Sequence, residues 1–256
     1  MLLVADTGNT HTVLGLFKGS ELLFKWNVQT TKERTTDEWG LIFKSFFELL
    51  NMNLSDVNGF AMCSVVPPTV HAIKHASRKY LHTEPLIVGP GIKTGLSLRY
   101  DNPKEIGADR VVNAVAAREK YHGAASIVID FGTATTFDCL SKGGEYLGGI
   151  ICPGIGISLD ALVTKTAKLP KVEIARPPSV IGKTTEQAMQ SGILFGYTAM
   201  VDGLVNRLST EMQDTPTIIA TGGLSPVIAG ESDTIKHHEQ NLTLDGLQII
   251  YQKNKK

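Results

Sequence analysis

The amino-terminal part of the chain alternates between short apolar runs and polar turns. Residues 2–5 and 13–17 are apolar, and residues 21–28 form a third, mainly apolar segment. Gly and Asn accept the backbone angles of a tight turn, so this pattern predicts a β-hairpin followed by a third strand. Thr35 and Glu38 then have the spacing of a capping box, which predicts the start of a helix. The turn of the hairpin is the pentapeptide Asp6-Thr7-Gly8-Asn9-Thr10.

A second copy of this pattern begins near the middle of the chain. The mainly apolar residues 126–129 are followed by Asp130-Phe131-Gly132-Thr133-Ala134-Thr135-Thr136. This segment aligns with residues 6–12 through its Asp, its Gly and its final Thr. An internal repeat indicates duplicated architecture. We therefore expect two similar lobes, residues 1–115 and 116–256, each presenting one phosphate-facing hairpin to a cleft between them.

The rest of the chain alternates predicted strands with predicted helices. Helices are expected from residue 35, from 67 to about 80, from 110 to about 121, over 153–162, and from 185 to about 207. Residues 252–256 are expected to form a frayed tail. Strands that alternate with helices after an antiparallel opening predict a mixed α/β sheet. The later strands are expected at residues 59–64, 85–88, 125–130, 135–140, 145–149 and 217–220.

The amino-acid composition limits which binding partners and which cellular compartment are expected. The 256 residues include 25 basic and 25 acidic side chains, so nothing in the net charge favours nucleic acid or an anionic membrane as a partner. Hydrophobic residues make up 42% of the chain, which is enough for ordered cores. Cys63, Cys139 and Cys152 form no CxxC pair, which favours buried thiols in a reducing cytoplasm. No segment qualifies as transmembrane.

Both hairpins carry residues that suit a nucleotide. Gly lets backbone N–H groups approach a phosphate, and the carboxylate oxygens of Asp6 suit Mg²⁺, directly or through water. An ordinary turn is the alternative, because Asp before Gly commonly caps a turn through its own side chain. Asp130 facing Asp6 across a cleft would repel it unless cations lay between them. From the residues alone, two roles remain for Asp130: binding a cation, or capping its own turn.

Asp109 and Arg110 combine a candidate base with a cation that can bind a carboxylate or phosphate through two hydrogen bonds. A surface ion pair explains the same two residues equally well. Farther along, Gly192, Gly196 and Gly203 lie within one predicted helix. They predict close packing of that helix against another helix, from this chain or from a second subunit.

Five motifs, taken in order, resemble those of the type III pantothenate kinases. The resemblance implies a duplicated ribonuclease-H-like fold, as in acetate and sugar kinases, heat-shock chaperones and actin. It also implies phosphorylation of pantothenate by ATP, which gives 4′-phosphopantothenate at the first step of coenzyme A biosynthesis. The motifs are Asp6-Thr7-Gly8-Asn9-Thr10, Tyr100-Asp101-Asn102-Pro103 with Gly107-Ala108-Asp109-Arg110, residues 130–136, Gly148-Gly149 with Pro153-Gly154, and Gly182 with Thr185; Thr221-Gly222-Gly223 continues the match.

Carried over position by position, the resemblance implies a role for each site residue. Asp109 would accept the proton, Asp130 would bind a monovalent cation, K⁺ or NH₄⁺, and Asp6 would lie near Mg²⁺. Family members are homodimers with the pantothenate site near the dimer interface. The implied ATP site comprises Asp6, Thr7, Gly8, Asn9, Thr10, His11, Thr12, Val13 and Thr133. The implied pantothenate site comprises Tyr100, Gly107, Ala108, Asp109, Arg110 and Thr185.

Two other functions fit the hairpins. The nearest is another small-molecule kinase of the same superfamily, because the hairpins specify a nucleotide rather than an acceptor. The segment from Tyr100 to Arg110 is the feature that separates the two. The other is a non-catalytic, ATP-dependent regulatory module, in which Asp109 and Thr185 would be incidental and ATP turnover would not depend on pantothenate.

Overall fold

The computed structural model describes residues 1–255, and its strands form two mixed sheets that are flanked by helices. No helix in this described part is long and apolar enough to cross a bilayer. In chain order the elements are β1 (Leu2–Thr7), β2 (His11–Lys18), β3 (Glu21–Gln29), α1 (Thr36–Leu49), β4 (Gly59–Ser64), α2 (Pro67–Ala76), β5 (Leu86–Ile87), β6 (Ser97–Leu98), α3 (Ala108–Lys120), β7 (Ser126–Phe131), β8 (Ala134–Leu140), β9 (Glu145–Pro153), α4 (Ile155–Thr164), α5 (Thr185–Met212), β10 (Thr217–Thr221), α6 (Ser225–Ala229), β11 (His237–His238) and α7 (Leu242–Asn254).

The chain divides into two compact units that exchange segments. The first unit holds Met1–Gly95, Asn102–Ala116 and the segment that begins at Leu242, and the second holds Leu96–Asp101 and Ala117–Asn241. This division differs from the uninterrupted lobes 1–115 and 116–256 in two places. The short strand β6 pairs with β9, and α7 packs on β1 and β4, so both segments join sheets distant from them in the chain.

The first unit is built on a sheet of strand order β3-β2-β1-β4-β5. The strands β1 and β2 form the predicted hairpin, with β3 antiparallel beside β2 and β4 parallel beside β1. Leu3 and Ala5 pack in the core that also contains aromatic residues of α1, such as Phe43. The helix α7 packs on β1, β2 and β4. Helices on both faces explain why residues 2–5 of β1 are all apolar instead of alternating with polar residues.

The second unit repeats this plan with strand order β11-β10-β7-β8-β9-β6. The strands β7 and β8 form the second predicted hairpin, β9 is antiparallel beside β8, and β10 is parallel beside β7. Its core contains Ile127 and Ile129 of β7, Phe137 of β8, and Leu194 and Val201 of α5. The antiparallel hairpins and parallel neighbours therefore occur in both units, which confirms the predicted duplication.

Local sequence patterns predicted most helix and strand boundaries, and tertiary contacts account for the exceptions. The capping box is present, with Thr35 Oγ1 accepting from Glu38 N and Glu38 Oε2 accepting from Thr35 N. The tail prediction for residues 252–256 is wrong up to Asn254, where α7 ends: Asn254 Nδ2 donates to Lys93 O at 2.9 Å. Residue 256 lies outside the described residues. The sequence pattern did not predict α7, β6 or β11.

Candidate active site

The first hairpin places a carboxylate at the end of a buried strand. Asp6 pairs with Val13, and Thr7 pairs with Thr12. Gly8 N donates to His11 O at 3.0 Å, which closes the turn predicted from the sequence. Asn9, Thr10 and His11 are exposed at its tip, whereas Thr7 and Thr12 are buried. The tip therefore offers backbone and side-chain donors to solvent, on a rigid two-stranded support.

Little in the protein stabilises the negative charge of the Asp6 carboxylate. Its partner is Cys63 on the adjacent strand β4, whose Sγ–H donates to Asp6 Oδ1 at 3.2 Å. The pKa of Asp6 is raised to about 6: burial is the largest cause, the negative charge of Asp109 acts in the same direction, and the hydrogen bond from the thiol opposes both. The structure thus brings Asp6 and Asp109, predicted from separate motifs, into electrostatic contact within the first unit.

Asp109 lies in the first turn of α3, where its carboxylate folds back on the backbone. Arg110 N–H donates to Asp109 Oδ1 at 2.9 Å, a hydrogen bond that does not need Oδ2. Burial raises the pKa of Asp109, opposed by the Arg110 backbone N–H and the Arg110 charge. Gly107 leaves the necessary space, because an added Cβ would lie 2.5 Å from Asp109 Oδ1. Arg110 is only 7% exposed, so the surface ion pair considered from the sequence is wrong.

The second hairpin holds Asp130 at the end of β7, opposite Thr136. A loop glycine covers this carboxylate: Gly222 has φ +92°, and an added Cβ would lie 2.6 Å from Asp130 Oδ1. Only glycine suits such a left-handed residue with backbone this close. Thr133, the other predicted ATP residue of this unit, is exposed at the hairpin turn. The motif Thr221-Gly222-Gly223 is therefore explained by its contact with Asp130.

The remaining pantothenate residues of the resemblance lie in the second unit. Tyr100 follows β6 and is half-buried, with its ring centroid 6.2 Å from that of Tyr146 and its edge against Gly148. Arg99 N donates to Tyr146 O at 2.8 Å, which fixes the preceding backbone. Thr185 is exposed at the first turn of α5, after the N-cap residue Thr184. Gly107, Ala108, Asp109 and Arg110, in contrast, lie in the first unit.

The ligand atoms that these residues offer determine which cations they can bind. Within residues 1–255 there is no group of three or more His, Cys, Asp or Glu side chains that could enclose a metal ion. Mg²⁺ does not need such a cage, because it is commonly held by one or two carboxylates together with substrate phosphates and water. Asp6, a carboxylate whose hydrogen bond comes from a weak thiol donor, fits that role. Asp130 offers oxygen, which also suits a monovalent cation.

The hydrogen bond of Cys63 is a feature of the site that the sequence did not predict. The sequence predicts that Cys63 is a buried thiol; it is fully buried, and it also donates a hydrogen bond to Asp6. Its position was a usable signal, since β4 follows the first helix and parallel pairing with β1 puts residues 6 and 63 side by side. Gly154, which belongs to one of the predicted motifs, is explained by close packing, because an added Cβ there would overlap the backbone of Thr133. The predicted packing of Gly192, Gly196 and Gly203 is absent within the described chain, because nothing lies within 4 Å of an added Cβ at any of them.

Comparisons with known proteins agree with the resemblance. Residues 2–207 match the family model described as type III pantothenate kinase. A protein of that name from Citrifermentans bemidjiense is 52% identical over 255 residues, covering all of both chains. Among solved structures, (R)-2-hydroxyglutaryl-CoA dehydratase component A from Acidaminococcus fermentans has a TM-score of 0.58 at 15% identity, covering 100% of this chain and 99% of its own. An inorganic polyphosphate/ATP-glucomannokinase from Arthrobacter has a TM-score of 0.50 at 13% identity, covering 99% of each chain. These two structures bear out the predicted fold class.

Proposed function

Because the chain belongs to the type III pantothenate kinase family and so phosphorylates pantothenate in coenzyme A biosynthesis, we propose that Asp109 is the group that accepts the hydroxyl proton. The observation that supports this role is the anchored carboxylate: Arg110 N–H holds Oδ1, and Oδ2 is not used in that hydrogen bond. Burial raises the pKa of Asp109, which makes its carboxylate a stronger base than an exposed one.

Phosphoryl transfer needs alignment and neutralised charge more than covalent help. The terminal hydroxyl of pantothenate hydrogen-bonds to Asp109, its oxygen attacks the γ-phosphorus of ATP, and the bond to the leaving ADP oxygen breaks. The hydroxyl proton passes to Asp109 as the new bond forms. The fixed carboxylate orients the nucleophile before the reaction, which removes an entropic part of the barrier. Arg110 would bind substrate polar groups or offset the developing negative charge.

ATP would bind at the first hairpin, residues 6–13, together with Thr133. The exposed tip offers N–H and hydroxyl donors to phosphate oxygens, which supports this assignment. Asp6 would hold Mg²⁺, directly or through water, and the cation would supply charge neutralisation of the β- and γ-phosphates. The raised pKa of Asp6 fits such a site, since a nearby cation favours its ionised form.

Asp130 would hold a monovalent cation, K⁺ or NH₄⁺. Support comes from its place at the end of β7 in the repeat, equivalent to that of Asp6 in the first hairpin, and from the glycine loop that lies over Oδ1. The pantothenate site would comprise Tyr100, Gly107 to Arg110, and Thr185. Tyr100 follows β6, which pairs with β9, and its ring packs against Tyr146, so the ring would offer a fixed apolar wall to a small substrate.

We also propose that the enzyme acts in the cytoplasm as a homodimer. Free cysteines fit a reducing compartment: Cys63 and Cys139 are buried, and Cys152 is partly exposed, contrary to the expectation that all three are buried. The exposed glycines of α5 support a second subunit, because they give a helix face to which another helix can approach closely.

A coupled ADP-release assay tests these assignments. We expect ADP release only with pantothenate present, high activity in K⁺ or NH₄⁺, and low activity in Na⁺ alone, because Na⁺ has a different size and coordination preference. The activity of Asp130→Asn should no longer differ between K⁺ or NH₄⁺ and Na⁺. Asp160→Asn, a change at an exposed carboxylate of α4, should keep the wild-type difference in activity. ADP release that ignores pantothenate would contradict the acceptor assignment. Full wild-type activity in Na⁺ alone would contradict the role of Asp130.

A further inference from the structure

The loop between β3 and α1, residues 30–35, lies beside the turn of the first hairpin. Thr30 N donates to Thr10 O at 2.9 Å, and the hydroxyls of Thr30 and Thr12 are 3.0 Å apart. The last residue of β3, Gln29, pairs with His11 at the hairpin tip. The loop therefore extends the surface of the hairpin at which we place the ATP phosphates, and it does so within the first unit.

Arg34 in this loop is held in place by three contacts. Its Nη1 donates to Gln29 O at 3.0 Å, and its backbone N donates to Thr31 O at 3.2 Å. Its guanidinium carbon lies 5.0 Å from the ring centroid of Trp39, a fully buried residue of α1. A cation over an aromatic face is attracted by the ring, and a stacked guanidinium keeps its edge donors available. The side chain is thus ordered without a ligand.

No carboxylate in residues 1–255 lies within ion-pair distance of the Arg34 guanidinium. The nearest acids on α1 have other partners. Glu38 Oε2 accepts from Thr35 N at 2.7 Å and from Thr35 Oγ1 at 2.9 Å, and the Arg34 charge contributes least to its lowered pKa. Asp37 Oδ1 accepts from Lys79 at 2.8 Å and from Tyr80 at 2.6 Å. Arg34 therefore has donors left for an external anion.

A cation at this place would add to the charge neutralisation that Mg²⁺ and Arg110 are proposed to supply. The hairpin, residues 6–13, contains no Lys or Arg, and the two side chains argued to act there, Asp6 and Asp109, are both acidic. Carboxylates beside a triphosphate repel it unless positive charge is supplied. We propose that Arg34 is a phosphate-binding residue, which donates its unused guanidinium N–H groups to ATP phosphate oxygens. This inference rests on the proposed function, in which the hairpin binds ATP.

Calorimetric binding of MgATP, adenosine and pantothenate to three variants, together with their melting temperatures, tests it. Arg34→Gln should weaken MgATP binding by about 10- to 100-fold, because charge-assisted hydrogen bonds to phosphate are lost, and should leave adenosine and pantothenate binding unchanged. Arg34→Lys keeps the charge but not the paired N–H donors of the guanidinium, so its MgATP affinity should lie between those of wild type and Arg34→Gln. The matched control is Lys32→Gln, which removes the same charge from an exposed position of the same loop and should change MgATP binding by less than about twofold.

The outcomes separate this inference from the assignment of the hairpin. Equal MgATP affinity in Arg34→Gln and Lys32→Gln would overturn the role of Arg34, as would weakened pantothenate binding with normal MgATP binding. A lowered melting temperature with unchanged MgATP affinity would identify Arg34 as a structural residue only. Gly8→Val tests the hairpin itself, because a Cβ there would lie 3.2 Å from His11 O. Normal MgATP binding in Gly8→Val would overturn the hairpin assignment, and the inference with it.

Discussion

Asp6 is a residue whose proposed role, holding Mg²⁺, requires a negative charge that destabilises the folded protein. Its neighbours in the folded protein, a buried strand and the charge of Asp109, oppose ionisation and raise its pKa from 3.8 to about 6. The unfolded chain ionises this carboxyl at lower pH, so between about pH 4 and 6 the folded state binds more protons than the unfolded state. The free energy of unfolding contributed by Asp6 therefore falls as the pH rises through this window.

We predict that Asp6→Asn stabilises the nucleotide-free protein at pH 8 by about 1 to 3 kcal/mol, because it removes an unfavourable ionised group. At pH 4 the difference from wild type should nearly vanish, since Asp6 is then neutral in the folded protein. Urea unfolding at pH 4, 6 and 8 measures this. Asp160→Asn is the control for loss of an exposed carboxylate. A variant less stable than wild type at pH 8 would refute the electrostatic account of Asp6.

At the residue scale, the sequence identified groups that lie in motifs and missed those that do not. Asp6 and Asp109 stand in recognisable motifs, and the structure brings them into electrostatic contact. Cys63 and Arg34 have no motif of their own. Their significance depends on strand pairing with β1 and on stacking over Trp39, contacts that no local pattern records.

At the scale of elements, Asp202 ties the long helix α5 to the loop before β11. Its carboxylate accepts hydrogen bonds from Ser232 Oγ at 2.5 Å, Thr234 Oγ1 at 2.6 Å, Asp233 N at 3.1 Å and Thr234 N at 3.2 Å. Burial by itself would raise the pKa of Asp202, but these hydrogen bonds outweigh burial and hold the pKa below its usual value. The ionised form is therefore the one that stabilises the fold.

Asp202→Ala should lower the free energy of unfolding by about 2 to 4 kcal/mol at pH 7, because several hydrogen bonds to one charged group are lost. A carboxyl with a lowered pKa contributes stability above its unfolded pKa and loses it as the pH falls through the folded one. The difference from wild type should therefore shrink below about pH 4. Chemical denaturation at both pH values measures this. Asp233→Ala, which keeps the backbone donor, should be nearly neutral; equal losses in both variants would contradict the assignment.

Elements with strong local rules were predictable, and elements that depend on distant contacts were not. The two hairpins follow from Gly-containing turns between apolar runs, and α1 follows from its capping box. The helix α7 was missed because its position depends on tertiary contacts: Gly246 fits against the carbonyl of Val112, and Tyr251 lies over Gly59. A glycine inside a helix is a poor local signal, although here close packing explains it.

At the scale of the whole molecule, the exposed face of α5 is the feature that a monomer leaves unexplained. Gly192, Gly196 and Gly203 are exposed with open space beyond each Cα, although glycine in a helix interior costs about 1 kcal/mol relative to alanine. On nearby elements of the chain, Ile157 of α4 and Ile181 before α5 are also exposed. A second subunit packed against this face would account for these residues together.

If the proposed homodimer packs through this face, Gly196→Arg should convert it to a monomer without unfolding it, because an added Cβ at this exposed position meets nothing within 4 Å, whereas the long side chain would block a close helix–helix contact. Light scattering after size-exclusion chromatography measures the mass, and circular dichroism checks the fold. Leu41→Arg, at an exposed position of α1, is the control and should leave the mass unchanged. A Gly196→Arg variant that keeps the wild-type dimer would exclude this face as the interface.

The central claim is that Asp109 accepts the proton, and one comparison tests it most directly: turnover and MgATP affinity of Asp109→Asn measured side by side with wild type. The amide is nearly the same size and keeps an oxygen for the Arg110 N–H, but it cannot accept the proton. We predict that turnover falls by roughly 10²-fold or more, with MgATP affinity within about threefold of wild type. Near wild-type turnover in Asp109→Asn would contradict the account.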